Sequence, residues 1–380
     1  MILLYIIIAL YFLYSWLIIY YWLAWKSIPD YVPSTSLQQT KISVIIPARN
    51  EEKNIGQLLH ALQEQTYPAA LFEIIDVDDH STDATAGIVQ QFSFVKLIQL
   101  KEEGINSYKK KAIETGIAAA RGEFIVTTDA DCLPSGDWLK TIAAFREEKE
   151  AIFIAAPVVL TPNPSPRSGK GGNSLLSIFQ QLDFMVLQGI TGAAVYKKQL
   201  SMCNGANLTY EKNAFDKVNG FDGIDNIASG DDMLLMHKIW KQYRGKVHYL
   251  KSKEAIVSTQ PMKTWRTFFN QRIRWASKTM HYEDKRIILV LLLVYLFNLS
   301  FLVLTIAGFV CHPYWLYLAG LWLAKTIIEF PFVYSVSLFF NKQSLMKYFF
   351  FFQLLHIFYM IVSGFFGQLG KYEWKGRRVS

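Results

Sequence analysis

Two aspartate pairs of this chain, at 129/131 and 231/232, have a spacing and setting that could do chemistry. Asp129 and Asp131 close the segment "EFIVTTDAD", and two carboxylates with this spacing can hold a hard divalent cation together with a phosphate. Asp231 and Asp232 follow Gly230 and precede the apolar stretch "MLLMHKIW". A carboxylate there could be the general base that removes a proton from an attacking hydroxyl group. The plain alternatives are a solvated turn for the first pair and a helix cap for the second.

The segment "MKTWRTFFNQRIRWASK", residues 262–278, interleaves aromatic and basic residues. Trp275 could stack against a sugar, and Arg274 could balance the charge of a leaving phosphate. The same pattern fits an ordinary amphipathic helix at a membrane surface, just before a membrane span. The residues alone leave both interpretations open.

Segments typical of buried strands alternate with helical ones in the central part of the chain. The strands are predicted at "KISVIIPARN", "FEIIDVDD", "FVKLIQL" and "EFIVTTDAD", and Pro47 is expected to end the first. This alternation indicates a parallel sheet with right-handed crossovers, which binds ligands at the carboxyl ends of its strands. Polar groups at three strand ends should therefore meet in one crevice: Pro47, Asp78, Asp79, Asp129 and Asp131.

Asp76 interrupts the apolar part of the second predicted strand. Side chains alternate along a strand, so Asp76 shares a face with Asp78 but lies two residues further from the carboxyl end. A carboxylate in a buried strand must find a partner or stay protonated. We therefore predict that Asp76 is a partnered or neutral structural acid outside the ligand site, with Lys96 of the next strand as its candidate partner. A destabilising local variation and a direct role in the site are the alternatives.

Two further segments lie between the central strands and the aromatic segment. The stretch "LTPNPSPRSGKGGNS", residues 160–174, is rich in Pro, Gly and Ser and is predicted to be a surface loop that gates the site. The following "LLSIFQQLDFMVLQGITGAAVY" is predicted to be a helix too polar to span a membrane. It would lie either against the bilayer or behind the site.

Four apolar runs are long enough to cross a bilayer as helices. They are Ile2–Trp25, Ile287–Cys311, Tyr314–Phe340 and Tyr348–Leu369. Lys325 and Glu329 lie four residues apart in the third run, a spacing that suits an intrahelical ion pair. Pro331 leaves open whether this run spans fully or is re-entrant. Basic residues flank the runs, so the positive-inside rule places the central domain in the cytoplasm.

Composition narrows the function classes further. The three cysteines, Cys132, Cys203 and Cys311, lack CxxC spacing, so they indicate neither a zinc site nor a disulfide framework. The sequence contains no recognisable nucleic-acid motif or internal repeat. The net charge of +8 is better explained by anionic membrane lipid and a phosphate-bearing substrate.

Six short segments occur in the order found in inverting family 2 glycosyltransferases. They are "SVIIPARNEE", "VDDHSTD", "DAD", "CNGANLTY", "SGDD" and "QRIRW". Over residues 40–280 the chain resembles the membrane-embedded branch of that family, which includes synthases of cellulose, hyaluronan and poly-N-acetylglucosamine. The shared order of the six motifs carries this resemblance.

The resemblance implies an α/β fold of the GT-A (Rossmann-like) class with one N-terminal and about three C-terminal transmembrane helices. It implies a nucleotide-sugar donor, usually a UDP-sugar, and Mg²⁺ or Mn²⁺ as cofactor. On the donor side, the resemblance implies that Pro47 and Glu51 border the nucleotide, Asp78 and Asp79 contact its base, and Asp129 and Asp131 hold the ribose, the diphosphate and the metal. Asp232 would be the general base, supported by Asp231. On the acceptor side, Asn204, Gly205 and Asn207 would line the acceptor pocket, and Gln271, Arg274 and Trp275 would lie at the acceptor end.

The function that follows is inverting, metal-dependent transfer of a sugar to a glycan or lipid-linked acceptor at the membrane. Extension of a polysaccharide and single transfer to a glycolipid both stay open, because related enzymes of both kinds carry similar Gln-x-x-Arg-Trp signatures. A non-catalytic membrane scaffold that keeps the nucleotide pocket is a third alternative. Membrane lipids are expected partners, and nucleic acid is not.

The domain organisation implied is a leading helix, a catalytic domain and a trailing bundle. The predicted boundaries are 1–26 for the transmembrane helix, 27–261 for the glycosyltransferase domain, 262–286 for the amphipathic segment, 287–370 for the C-terminal bundle and 371–380 for a basic tail. We expect an integral protein of a bacterial inner membrane whose catalytic domain faces the cytoplasm.

Overall fold

The protein is described by a computed structural model. Its described residues are 1–33, 38–105, 107–162, 174–200, 202–225, 227, 230–277 and 284–368, with the backbone of two short strands at 372–374 and 377–379. Most of the predicted gating loop, residues 163–173, lies outside this description, as does Ser229 of the "SGDD" motif.

The chain folds into two compact units. A helical unit contains residues 1–27, 164–193 and 261–380, and an α/β unit contains residues 28–163 and 194–260. Three 3₁₀ turns occur in the described residues, at Ala69–Leu71, Gly205–Asn207 and Gln343–Tyr348. The α-helices are α1 Ile2–Ser27, α2 Ile55–Gln63, α3 Thr85–Val89, α4 Tyr108–Ala119, α5 Trp138–Lys149, α6 Leu175–Tyr196, α7 Lys212–Lys217, α8 Met233–Gln242, α9 Trp265–Ser277, α10 Lys285–Val310, α11 Pro313–Phe339 and α12 Phe349–Gly367.

The α/β unit is built on a seven-stranded sheet in the order β3-β2-β1-β4-β8-β6-β9, with a three-stranded sheet, β5-β10-β7, beside it. β1 to β4 are parallel to one another, and β8 is antiparallel to β4 and β6. The strands are β1 Ile42–Ala48, β2 Phe72–Asp78, β3 Val95–Gln99, β4 Phe124–Thr127, β5 Leu133–Pro134, β6 Phe153–Ala155, β7 Val158–Leu160, β8 Leu208–Glu211, β9 Val247–Tyr249, β10 Val257–Thr259, β11 Tyr372–Trp374 and β12 Arg377–Val379. The predicted parallel sheet of four strands with helices between them is confirmed.

Pro47 does not end β1, contrary to the sequence prediction. The strand continues to Ala48, and Pro47 pairs with Val77 of β2. The Ile45 carbonyl accepts a hydrogen bond from Thr128 N. The backbone N–H and C=O groups of the odd-numbered residues of β1 therefore point towards β4. Pairing with β4 ends at Ile45, and the missing N–H of Pro47 therefore falls where no ladder hydrogen bond is needed.

α4 packs closely on one face of the sheet. A Cβ atom added to Gly116 would lie 2.6 Å from Ile45 Cγ2 and 3.3 Å from Val77 Cγ2, so only a glycine allows this approach. The first turn of α4 therefore has a fixed position relative to β1 and β2. This turn carries Lys109, which reaches the carboxyl ends of the strands.

Asp76 is fully buried in β2, and Lys96 is not its partner. Neither carboxylate oxygen of Asp76 has a hydrogen-bond partner among the residues that the structure describes. Lys96 pairs with Ile75, so its side chain leaves the sheet on the other face, where its Nζ donates to the Ala119 carbonyl. Burial, and secondarily the charge of Asp78, raises the pKa of Asp76 to about 8.

The Asp76→Val variant is expected to be more stable than the wild type, with a difference that grows with pH. The folded chain holds the Asp76 proton up to its pKa of about 8, whereas the unfolded chain releases it near 3.9. The folded state therefore binds the extra proton between these values, and the wild type loses about 1.4 kcal/mol of stability per pH unit across that window. Thermal unfolding in detergent at pH 5 and pH 8 measures both differences.

Asp76→Asn is the matched control, because it removes the titration but leaves a buried polar group without a partner. Its stability should lack the pH trend while remaining below that of Asp76→Val. An equal gap between wild type and Asp76→Val at both pH values would show that Asp76 is ionised in the folded chain. Loss of donor binding in folded Asp76→Val would place Asp76 in the ligand site instead.

In the part of the helical unit that the structure describes, four helices are long and apolar enough to cross a membrane, as predicted. They are Ile2–Ser27, Lys285–Val310, Pro313–Phe339 and Gln343–Gly367. Pro331 lies inside a continuous α11, so this run is a full-length helix. The predicted Lys325–Glu329 pair is confirmed, with 2.7 Å between Lys325 Nζ and Glu329 Oε1.

Candidate active site

Asp79, directly after β2, contacts one guanidinium and one imidazole side chain. Asp79 Oδ1 lies 3.0 Å from His80 Nδ1 and 3.6 Å from Arg49 Nη1. Arg49 Nη1 also donates to the Asp79 main-chain carbonyl at 2.7 Å. These contacts fix the turn that follows β2, and they tie it to the end of β1.

Asp78 is buried at the same strand end, with 3% of its surface exposed. Its Oδ2 accepts a long hydrogen bond from Ser81 N, at 3.4 Å. Its Oδ1 is buried and has no partner among the described residues. A buried acceptor without a partner is costly, so a donor group of a ligand at this position would be favourable.

Glu51 follows β1 and belongs to the same rim of the sheet. Its backbone N–H donates to Thr85 Oγ1 at 2.7 Å, and its Oε2 accepts from Asn54 Nδ2 at 2.7 Å. The loop after β1 is therefore joined to the start of α3. Pro47, Glu51, Asp78 and Asp79 thus come from two adjacent strand ends, as the sequence predicts.

Lys109 joins the two aspartate pairs. Its Nζ lies 2.8 Å from Asp129 Oδ1 and 3.1 Å from Asp231 Oδ2. The burial of Lys109 would lower its pKa, but the two carboxylates outweigh this effect and hold the pKa above its usual value. Lys109 is therefore charged at physiological pH, and it is a single cation between two anions from different parts of the chain.

The turn at Gly205 closes against this cluster. A Cβ atom added to Gly205 would lie 2.9 Å from Asp231 Oδ2, 3.3 Å from Lys109 Nζ and 3.7 Å from Asp232 Cβ. Any side chain at this position would displace the charged groups. Asn204 caps the turn by accepting from Ala206 N at 3.0 Å, and Thr127 Oγ1 of β4 donates to the Gly205 carbonyl.

Asn207, the last residue of this turn, anchors it to the protein interior. It is fully buried, and its Oδ1 accepts from Trp138 Nε1 at 3.0 Å. Its Nδ2 donates to the carbonyls of Pro157 and Ala255 at 2.9 and 2.8 Å. The amide of Asn207 is therefore engaged in the protein interior, whereas Asn204 and Gly205 lie at the turn itself.

Asp232 caps α8, as the plain alternative predicts. Its Oδ1 accepts from Met233 N at 2.7 Å, and 9% of its surface is exposed. A carboxylate has two oxygens and about four acceptor sites, so the cap bond at Oδ1 is compatible with a role in accepting a proton. The Cβ atom of Asp232 lies 3.7 Å from a Cβ atom built on Gly205, so Asp232 borders the same turn as Asp231.

The carboxylates of Asp129 and Asp131 can share a metal ion. Their ligand oxygens and the Cys132 sulfur lie within 4.8 Å of one another. Burial, reinforced by the charges of Asp131 and Asp129, raises the pKa of the Cys132 thiol well above its usual value. The two carboxylates supply oxygen donors, which fit Mg²⁺ or Mn²⁺.

The predicted residues of the Gln-x-x-Arg-Trp signature lie in α9 of the helical unit. Gln271, Arg274 and Trp275 are all half-buried. In the α/β unit, the structure brings together Asp129, Asp231, Asp232 and Gly205. The three signature residues belong to the helical unit.

Sequence reasoning did not single out Lys109. It stands first in the run "KKK", which reads as a solvated charged face, yet each lysine has a different partner. Lys110 is buried and donates to the carbonyls of Ile224 and Ile227, and Lys111 pairs with Glu102 at 3.6 Å. The available signal was the place of Lys109 in the first turn of the helix after β3, at the ligand-binding edge of the sheet.

Comparisons with known proteins agree with this architecture. Residues 43–218 match the model of the family described as Glycosyl transferase family 2. The chain is 28% identical over 243 residues to "Probable glycosyltransferase YdaM" of Bacillus subtilis (strain 168), covering 62% of this chain and 54% of that protein. It is 25% identical over 177 residues to "Beta-monoglucosyldiacylglycerol synthase" of Nostoc sp. (strain PCC 7120), covering 44% of this chain and 38% of that protein.

A solved structure shares the fold over nearly the whole chain. The mannosyltransferase PcManGT from Pyrobaculum calidifontis, solved with GDP-Man and Mn²⁺, aligns with a TM-score of 0.55 and 18% identity, covering 96% of this chain and 99% of that one. The predicted GT-A-like fold with its apolar helices is therefore confirmed, and a family 2 domain lies in the matched segment. The chain spans about half the length of the first curated relative above and less of the second.

Proposed function

We propose that this chain is a membrane-bound glycosyltransferase that moves a sugar from a nucleotide-sugar, usually a UDP-sugar, to a hydroxyl group of a lipid acceptor. The observation that carries this proposal is the meeting of the two aspartate pairs, with Lys109 lying 2.8 Å from Asp129 and 3.1 Å from Asp231. A transferase needs cationic and metal-binding groups at the leaving diphosphate and a base at the attacking hydroxyl. Both kinds of group are present within one cluster.

The donor side comprises the ends of β1, β2 and β4. Asp78, with its open acceptor oxygen, and Asp79 would contact the base of the nucleotide, and Pro47 and Glu51 would border it. Asp129 and Asp131 would hold the divalent cation. When bound, such a cation supplies positive charge to the departing diphosphate.

The acceptor side begins at Asp232. Its carboxylate would remove the proton of the acceptor hydroxyl, while Lys109 and Asp231 keep the neighbouring charges paired. The hydroxyl oxygen would then attack the anomeric carbon from the face opposite the diphosphate, in a single displacement. This route inverts the configuration, so an α-linked donor would give a β-linked product.

The acceptor class follows from the membrane-spanning helices and the relatives. Four helices among the described residues are long and apolar enough to cross a bilayer, so the chain would be held at a membrane that also contains lipid acceptors. The Nostoc relative is named for synthesis of a monoglucosyl diacylglycerol, so a diacylglycerol-type lipid is our first choice of acceptor. Extension of a polysaccharide, as in the cellulose and hyaluronan synthase branch, is the second candidate because Gln271, Arg274 and Trp275 match its signature.

The basic residues beside the apolar runs support a cytoplasmic position of the α/β unit. Under the positive-inside rule these charges stay on the cytoplasmic face of a bacterial inner membrane. Nucleotide-sugars would then be available on the side where the site lies. Gln271, Arg274 and Trp275 would serve the acceptor end, with Asn204 and Gly205 lining the acceptor pocket and Asn207 supporting its turn.

A donor panel on membranes containing the full chain tests this function. UDP-glucose, UDP-N-acetylglucosamine and GDP-mannose are each supplied with Mn²⁺ or Mg²⁺, and nucleoside diphosphate release and product mass are measured. We expect one donor to give a glycolipid carrying one sugar, with turnover lost in EDTA and restored by the metal. A ladder of products would indicate polysaccharide extension, and nucleotide binding without any turnover would favour the non-catalytic scaffold.

A further inference from the structure

Two buried clusters of charged and polar side chains lie among the described residues of the helical unit. In the first, Lys325 pairs with Glu329 and donates to Gln353 Oε1 at 2.6 Å, while Gln353 Nε2 donates to Glu329 Oε2 at 2.7 Å. The hydroxyl of Tyr14 also donates to Glu329. These bonds join α1, α11 and α12 to one another, which explains the cluster as a contact between membrane helices.

The second cluster is centred on Arg272 of α9, which lies inside the Gln-x-x-Arg-Trp signature but was not among its predicted residues. The Arg272 side chain is 4% exposed, and its Nη2 lies 2.6 Å from Asp183 Oδ2. The other carboxylate oxygen of Asp183 accepts from the hydroxyl of Tyr359. Both oxygens of Asp183 are thus engaged, so residues from α6 and α12 fix the guanidinium of α9 in place.

Arg272 in turn contacts two of the signature residues. Its Nη1 donates to Gln271 Oε1 at 3.1 Å. Its guanidinium carbon lies 4.3 Å from the ring centroid of Trp275 and 4.8 Å from that of Phe268. One buried side chain therefore touches the amide of Gln271 and the indole of Trp275.

The chemistry of arginine suits this combination of contacts. A guanidinium is planar, so it donates hydrogen bonds in its plane while an aromatic ring packs on its face. An ammonium group could keep the ion pair with Asp183, but it has no plane on which the indole could stack. Arg274 differs from Arg272 in being half-buried and in making no such ion pair among the described residues.

We propose that Arg272 is a positioning residue that, anchored by Asp183, orients Gln271 and Trp275 for the acceptor end of the reaction. This inference deepens the proposed function and rests on it. Because its side chain is buried and paired with Asp183, we do not expect Arg272 to touch a reacting atom. Its effect should therefore appear in the rate of transfer to the acceptor, and donor binding should be unaffected.

Arg272→Lys tests this role in the full-length chain, with the donor found in the panel and vesicles of phosphatidylglycerol containing diacylglycerol. The variant keeps the charge opposite Asp183, so its unfolding midpoint should stay near that of the wild type. Transfer to diacylglycerol should fall about 100-fold, because small displacements of positioning groups cost rates of this order. The donor KM and the slow release of nucleoside diphosphate to water should stay within about threefold of wild type.

Arg266→Lys is the matched control, since Arg266 is exposed on the same helix and the exchange is identical. It should leave every quantity unchanged. Transfer by Arg272→Lys at the wild-type rate would overturn this inference alone, and so would a parallel loss of transfer and donor hydrolysis. Absence of turnover by the wild-type chain would overturn the proposed function and, with it, this inference.

Discussion

Replacing Asp232 by asparagine is expected to reduce sugar transfer about 1,000-fold, because the side chain can no longer accept the proton of the acceptor hydroxyl. The substitution separates the two roles of Asp232. Asparagine is as good an N-cap as aspartate, so its Oδ1 can still accept from Met233 N, and α8 should keep its first turn. The donor KM and the unfolding midpoint should therefore stay near their wild-type values, and only kcat should fall.

Asp216→Asn is the matched control, because Asp216 is an exposed aspartate of the same α/β unit and the chemical change is identical. Its turnover should equal that of the wild type. If Asp232→Asn kept full activity, Asp232 would be a helix cap only, and the base would have to be sought elsewhere in the cluster. Asp231 would be the next candidate, because its Oδ2 lies beside Gly205 and Lys109.

The strand ends of the site could be predicted because each one is a local pattern. A β-branched stretch that stops at a polar residue marks the carboxyl end of a strand, and the parallel order of β1, β2 and β4 then brings Asp78 and Asp129 to one edge. The helix over Leu175–Tyr196 and the Lys325–Glu329 pair were predictable for the same reason. Each depends on spacing within one helix.

The missed features depend on contacts between distant segments. Lys109 meets Asp231 more than a hundred residues away. Its place in the first turn of α4 is the one local signal, and Lys110 and Lys111 share it. Lys96 was the wrong partner for Asp76 because strand register decides the face, and register cannot be derived from either strand alone. Arg272 looks like one more basic residue of an amphipathic helix until Asp183 is placed opposite it.

Replacing Lys109 by methionine is expected to have opposite effects on metal binding and on turnover. In the wild type the ammonium group lies 2.8 Å from Asp129 Oδ1, so a divalent cation must share that carboxylate with an existing positive charge. Removing this charge should raise the Mn²⁺ affinity of the donor-free protein about tenfold, the order that Coulomb energies at such distances give. Turnover should fall about 100-fold, because one preorganised positive group is lost from the place where diphosphate charge develops.

Calorimetric titration of Mn²⁺ and nucleoside diphosphate release measure the two effects, and Lys111→Met is the matched control. Lys111 is the same residue type two positions along α4, and its ammonium pairs with Glu102 at 3.6 Å. Methionine there should change neither quantity. If Lys109→Met weakened Mn²⁺ binding, Lys109 would be holding Asp129 in its ligand orientation instead of competing with the metal. The divergence of affinity and turnover is therefore the specific sign that one cation serves both carboxylate pairs, and a general loss of folding would lower both together.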